Sequence, residues 1–193
     1  LLEKKLKIDL PTPLEIVILL FIFAAEILGE LQEYYIKVAF WDSMLHTITG
    51  FLSAAVGFAL VDMLNRDKKV QMQLSPLYLA IAAFCFSMTI GVLWEFFELS
   101  MDKFLLFDMQ KDTVVNTVST VMLDSTGRNK TVILKDISDV VVIAGGEEIS
   151  LGLGGYLDVG LHDTMNDLLV NFLGASVFSV IGYYYVKNRG KGR

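Results

Sequence analysis

Acidic side chains recur at helical spacing beside the most apolar stretches of this chain. Glu26 and Glu30 are four apart, as are Asp42 and His46; Glu95, Glu98 and Asp102 are three and four apart; Asp163, Asp167 and Asn171 are four and four apart. Residues at these spacings share one face of an α-helix, so each set forms a stripe. Carboxylates with an imidazole and an amide oxygen are donors suited to Zn, Mn, Mg or Ca. They also suit the polar head of a lipid or another envelope molecule. The expected pocket is His46, Glu95, Glu98, Asp163, Asp167 and Asn171, with His46, Glu95, Glu98 and Asp167 as metal donors. Glu26, Glu30, Asp42, Asp102 and His162 are additional members.

Two readings of the stripes stand side by side. An ionisable group at the centre of a bilayer costs on the order of 2.5–3.5 kcal/mol, so it persists mainly when paired, bound or facing a cavity. Several carboxylates close together cannot all ionise, so a cation, raised pKa values, or Lys37 or Lys103 must neutralise them. Alternatively each stripe marks a helix end meeting headgroups, a reading that fits Asp42, Asp102 and Asp163 as well as the first. His162 likewise reads as a solvated loop histidine. Ser43, Thr47 and Thr49 lie too close to His46 along one helix to build a triad with it. The chain also lacks His-Glu-x-x-His, Gly-x-Ser-x-Gly and paired cysteines, so no catalytic residue is named.

The elements that carry the stripes are membrane spans. Of 193 residues, 54% are hydrophobic and 20% charged, and the mean hydropathy is +0.55. That excess of apolar side chains points to a bilayer. A span needs about 20 mostly apolar residues. Four stretches qualify, roughly 14–33, 44–64, 77–99 and 166–187. Cys85 has no partner for a disulfide, and a net charge of −6 without a basic stripe argues against nucleic acid.

Orientation follows from lysine and arginine near the span ends. Lys4, Lys5 and Lys7 precede the first span. Arg66, Lys68 and Lys69 link the second to the third, and Lys187, Arg189, Lys191 and Arg193 follow the fourth. All three clusters fall on one side if both termini are cytoplasmic. The chain opens on Leu1, and a further span upstream would not disturb this pattern. The expected architecture is an all-α integral membrane protein, a four-helix transmembrane bundle with a small extracytoplasmic insertion containing short β-strands. Residues 1–102 hold three spans, 103–162 form the insertion, and 163–193 hold the fourth span and a basic tail.

Inside the insertion, Thr131-Val132-Ile133-Leu134 and Val140-Val141-Val142-Ile143 are β-branched runs bounded by turn residues, and they predict strands. Residues 112–123 fit a period of 2 or of 3.6. Gly152, Gly154 and Gly155 lack a phosphate loop's lysine and read as a turn back to the membrane. Gly50, Ser53, Ala54 and Gly57, and Gly174, Ala175, Ser179 and Gly182, are small residues that let helix backbones approach.

Three blocks carry a family resemblance. Trp41-Asp42-Ser43-Met44-Leu45-His46-Thr47-Ile48-Thr49-Gly50-Phe51, Trp94-Glu95-Phe96-Phe97-Glu98 and the run from Asp163 to Ala175 resemble YjdF-type membrane-spanning proteins. The last block and the Leu45-His46 pair are also similar, more remotely, to the VanZ-like proteins associated with teicoplanin resistance. The first resemblance implies a polytopic protein of the bacterial plasma membrane and supplies no reaction. The second implies a role in the cell envelope, although compact VanZ-like chains lack the long outer insertion.

The leading functional expectation is a membrane protein with an outward acidic pocket for a divalent metal ion or a lipid or envelope head group. The alternative is a metal-dependent hydrolase or transferase acting on a lipid or lipid-linked substrate at the outer leaflet. A cation or proton transporter ranks third, because no inverted repeat or proline-broken helix is visible.

Overall fold

The computed structural model describes residues 12–66 and 73–189. Lys4, Lys5, Lys7, Lys68, Lys69, Lys191 and Arg193, used above for orientation, lie outside the described residues. Among the described residues five α-helices follow in order: α1 Thr12–Ile22, α2 Tyr34–Lys37, α3 Trp41–Arg66, α4 Pro76–Leu105 and α5 Leu161–Asn188. Among the described residues α3, α4 and α5 are long and apolar enough to cross a membrane, with 26, 30 and 28 residues. Each exceeds the expected span at both ends, most at the end where its polar stripe continues the helix beyond the apolar run. At 1.5 Å per residue the three are about 39–45 Å long, more than the hydrocarbon core of about 30 Å, so their ends reach the headgroup region.

The first expected span takes a different form. α1 runs into a nine-residue π-helix, Phe23–Leu31. Its last turn closes with the Gln32 amide on the Ile27 carbonyl at 3.0 Å, an i→i+5 bond. Glu26 and Glu30, expected on one α-helical face, lie on this wider helix, where four residues fall short of a full turn. Both are exposed.

The described residues form two compact units. Those up to Gly91 and from Asp167 onward make the first, and Val92–Asn166 make the second. In the first unit α3 and α5 run parallel: Phe51 meets Phe178, and Phe58 meets Tyr185, edge to face. α4 runs against them. Its Ser87 hydroxyl donates to the Gly50 carbonyl at 2.7 Å, while its Leu79 and Ala83 pack with Phe58. Small residues set these approaches. A Cβ at Gly57 would meet the Phe86 ring, and one at Gly174 would overlap the Thr47 carbonyl oxygen. Only 28% of the apolar window of each long helix is buried. Most of its large apolar side chains therefore face outward, as lipid contact requires.

Ser75 and Pro76 explain where α4 begins. The Ser75 hydroxyl caps the Tyr78 amide at 3.2 Å, and proline opens the first turn. At the far end of α4 the chain turns through Leu106 at φ 57°, and the Asp102 carboxylate receives the amides of Met109 at 2.5 Å and Gln110 at 2.8 Å.

The second unit holds six short strands in three antiparallel pairs. They are β1 Val114–Val115, β2 Val118–Thr120, β3 Val132–Leu134, β4 Val141–Ala144, β5 Glu147–Ser150 and β6 Tyr156–Leu157. β1 pairs with β6, β2 with β3 and β4 with β5. The two β-branched runs became β3 and β4, and the ambiguous 112–123 stretch resolved to strands. β4 and β5 join through Gly145 and Gly146, both at positive φ (63° and 88°), the tight hairpin turn that favours glycine. The glycine-rich stretch read as a turn does bend the chain, and β6 follows it directly after Gly155, whose missing Cβ admits the Val115 carbonyl. Asn116 fastens the unit, its amide donating to the carbonyls of Ile137 and Gly154 at 2.8 Å each.

Candidate metal centre

Parallel running brings the entry turns of α3 and α5 to the same end of the first unit. α3 presents Asp42 in its first turn and His46 one turn later, and α5 presents Asp167. The His46 Nε2 lies 3.7 Å from Asp42 Oδ1 and 3.7 Å from Asp167 Oδ2. One donor atom from each of the three residues falls within 4.8 Å of the other two. Asp167 is 1% exposed, and the side chains of His46 and Asp42 are 13% and 35% exposed. The group is therefore sealed on the α5 side and accessible along Asp42.

The separations indicate what such a group can hold. At 3.7 Å neither carboxylate oxygen is at direct hydrogen-bond distance from Nε2. Two donors on one tetrahedral ion, bonded at about 2.0–2.2 Å, sit about 3.4 Å apart, so a contraction of a few tenths of an ångström would seat a cation. Two carboxylates and a neutral imidazole balance a divalent charge. Three protein donors leave a further position for water or a ligand.

Helix packing holds the donors in place. One turn below Asp167, Asn171 is 2% exposed where the three long helices meet. Cβ atoms at Gly50 and Gly91 would both run into Asn171, and its Nδ2 donates to Met88 Sδ at 3.5 Å. Asn171 thus sits on the same helical face as Asp167, inside the helix contact.

The family described as "Predicted membrane protein (DUF2238)" matches residues 1–188. The chain belongs to this family. Neither a curated protein nor a solved structure matches it.

Of the other expected site residues of this DUF2238 protein, Glu26 and Glu30 are exposed in the first unit, and Glu95, Glu98, Asp102, His162 and Asp163 belong to the second. Glu95 and Glu98 are 4% and 8% exposed, and Glu98 Oε1 accepts the indole N–H of Trp94 at 2.8 Å. Asp163 Oδ2 accepts the Lys111 amide at 2.7 Å, so Asp163, like Asp102, holds the backbone that follows α4. His162 is exposed, and its Nδ1 contacts Asp158 Oδ2. Asp158 also receives the amides of Thr113 at 2.9 Å and of His162 at 2.8 Å. These bonds and the imidazole beside it hold the Asp158 carboxyl below its usual range, although desolvation opposes them most strongly.

One residue that sequence reasoning passed over is Asp62, 6% exposed near the end of α3. It receives Arg66 at 2.6 Å and both Nη groups of Arg189 at 2.9 Å. Arg66 and Arg189 had served only as orientation signals. Their shared partner was detectable as the one acid four residues before Arg66.

Proposed function

We propose that this DUF2238 membrane protein binds a divalent cation through Asp42, His46 and Asp167. The observation that carries the reading is one imidazole nitrogen equidistant, at 3.7 Å, from two carboxylates on different helices, one of them fully buried. An imidazole among carboxylates favours Zn or Mn over Ca and Mg, which take mostly oxygen ligands. The blocks that resemble YjdF-type proteins supply all three donors, which supports the same reading.

In this proposal the protein spans the bacterial plasma membrane four times, the π-helical segment completing the first span. The basic clusters face the cytoplasm, and the metal centre opens toward the envelope side. Single cysteines at Thr126 and Lys187 in a Cys85→Ser background test the orientation. An impermeant thiol reagent applied to intact cells should reach the first and miss the second.

The count of three donors favours one second reading, a metal-dependent hydrolase or transferase acting on a lipid-linked substrate, because catalytic zinc sites typically keep three protein ligands and an open position. Elemental analysis of protein purified in detergent without chelator tests the metal reading. About one equivalent of Zn or Mn is expected in the wild type and a clear loss in His46→Gln. A metal-free wild type that takes up none on titration would overturn it.

A further inference from the structure

The opposite end of the parallel pair carries a second polar group. His46 and Asp62 are separated by about 24 Å of helix at 1.5 Å per residue. There, two guanidiniums meet one buried carboxylate, leaving a net positive charge. Arg189 gives Asp62 two of its five N–H donors and lies 4.8 Å from the Tyr185 ring centroid. Arg66 gives Asp62 one nitrogen, and its side chain is 57% exposed.

Beside Arg189 is an open recess of about 450 Å³, lined by Ile181, Tyr184, Tyr185, Asn188 and Arg189. Ile181, Tyr184 and Tyr185 are 52%, 54% and 58% exposed on the last turns of a membrane-spanning helix. The recess is thus apolar and aromatic toward the bilayer interior, and cationic with an amide at the helix end. A soluble anion would use only the second half. A phospholipid uses both, its acyl chain along Ile181 and Tyr184 and its phosphate at Asn188 and Arg189, with Arg66 adding charge beside Arg189 on their shared Asp62.

We propose that this recess binds an anionic phospholipid. The surplus positive charge and Lys187 nearby favour a net-negative head group over a zwitterionic one, because each basic side chain at a membrane surface adds attraction of about fivefold.

The test is native mass spectrometry of the full chain in detergent, titrated with phosphatidylglycerol, phosphatidylcholine or inorganic phosphate. Wild type is expected to bind phosphatidylglycerol at least about fivefold more tightly than phosphatidylcholine. Arg66→Gln, which keeps the Asp62–Arg189 bond, should lower that preference, and Asn188→Asp, which sets a carboxylate in the recess, should abolish it. Equal affinity for the two lipids, or a preference that survives Asn188→Asp, overturns the proposal. Displacement of phosphatidylglycerol by inorganic phosphate overturns it in favour of a soluble anion. Metal content measured on the same samples reports the other end of the helices separately.

Discussion

Arg189, the residue after α5, lays both Nη nitrogens on the two carboxylate oxygens of Asp62 in α3 at 2.9 Å each, across 127 residues of sequence. Fork-to-fork geometry of this kind is directional as well as charged, so it fixes how α5 sits along α3. It locks the far ends of the two helices whose near ends carry the candidate metal centre.

Asp62→Asn removes the buried carboxylate that both guanidiniums share and is expected to destabilise the protein by about 1–3 kcal/mol. Arg66→Gln should cost less than about 1 kcal/mol, since that partner is largely solvated. Denaturant unfolding in micelles measures both. Equal costs would show that the Arg189 contact does not anchor the helix pair.

Glycine contacts make a second comparison. At Gly174 an added Cβ would overlap the Thr47 carbonyl oxygen and crowd the Phe51 amide, which are backbone atoms and cannot rotate away. At Gly182 the nearest neighbour is the Phe58 ring at 3.0 Å, which can tilt. Gly174→Ala is therefore expected to cost about 1–3 kcal/mol and Gly182→Ala less. Because Thr47 adjoins His46, Gly174→Ala should also weaken metal binding, whereas Gly182→Ala should leave it intact. Thermal unfolding and metal titration of the two variants provide the check.

Asp124, which lies in none of the three candidate spans, gives a pH prediction. Its carboxylate accepts the Thr126 hydroxyl at 2.7 Å and the amides of Lys130, Thr126 and Arg128 at 2.9 Å each. The Thr126 hydroxyl contributes most to lowering its pKa from 3.8 to about 2. A depressed carboxyl pKa stabilises the folded turn fully above the unfolded value of 3.8, and the effect is lost as pH falls through about 2. Amide protection at Thr126, Arg128 and Lys130, each rate taken against its intrinsic value at that pH, should be high at pH 5 and fall near pH 2. In Asp124→Asn it should be lower at pH 5 and lose this acid dependence.

Hydropathy made the three long helices legible, because outward apolar side chains are what both a bilayer and a sliding average detect. The start of the first segment was legible too, but its conversion to π-helix at Phe23 was not, since no proline or glycine marks the change there. The β-branched runs announced β3 and β4. β6 has only Tyr156 and Leu157 to announce it, and it forms because β1 pairs with it. At the candidate site, spacing correctly put Asp42 and His46 on one face, and Asp167 and Asn171 on another. It could not say which faces meet. Alternating spans already implied that α3 and α5 run parallel; which of their faces meet depended on the close backbone approaches at Gly50 and Gly174. Asp102 and Asp163, also at helical spacing, have oxygens that receive backbone amides, a role that spacing alone does not reveal.

The most direct test of the metal centre is a calorimetric titration of Zn and Mn into metal-stripped wild type, His46→Gln, Asp167→Asn and the double variant. One site per chain is expected, weakened at least about tenfold by either substitution. The combined effect should depart from additivity by about 0.5–3 kcal/mol, because both donors grip one ion. Wild-type binding that is absent, or that either substitution leaves unchanged, would contradict the account.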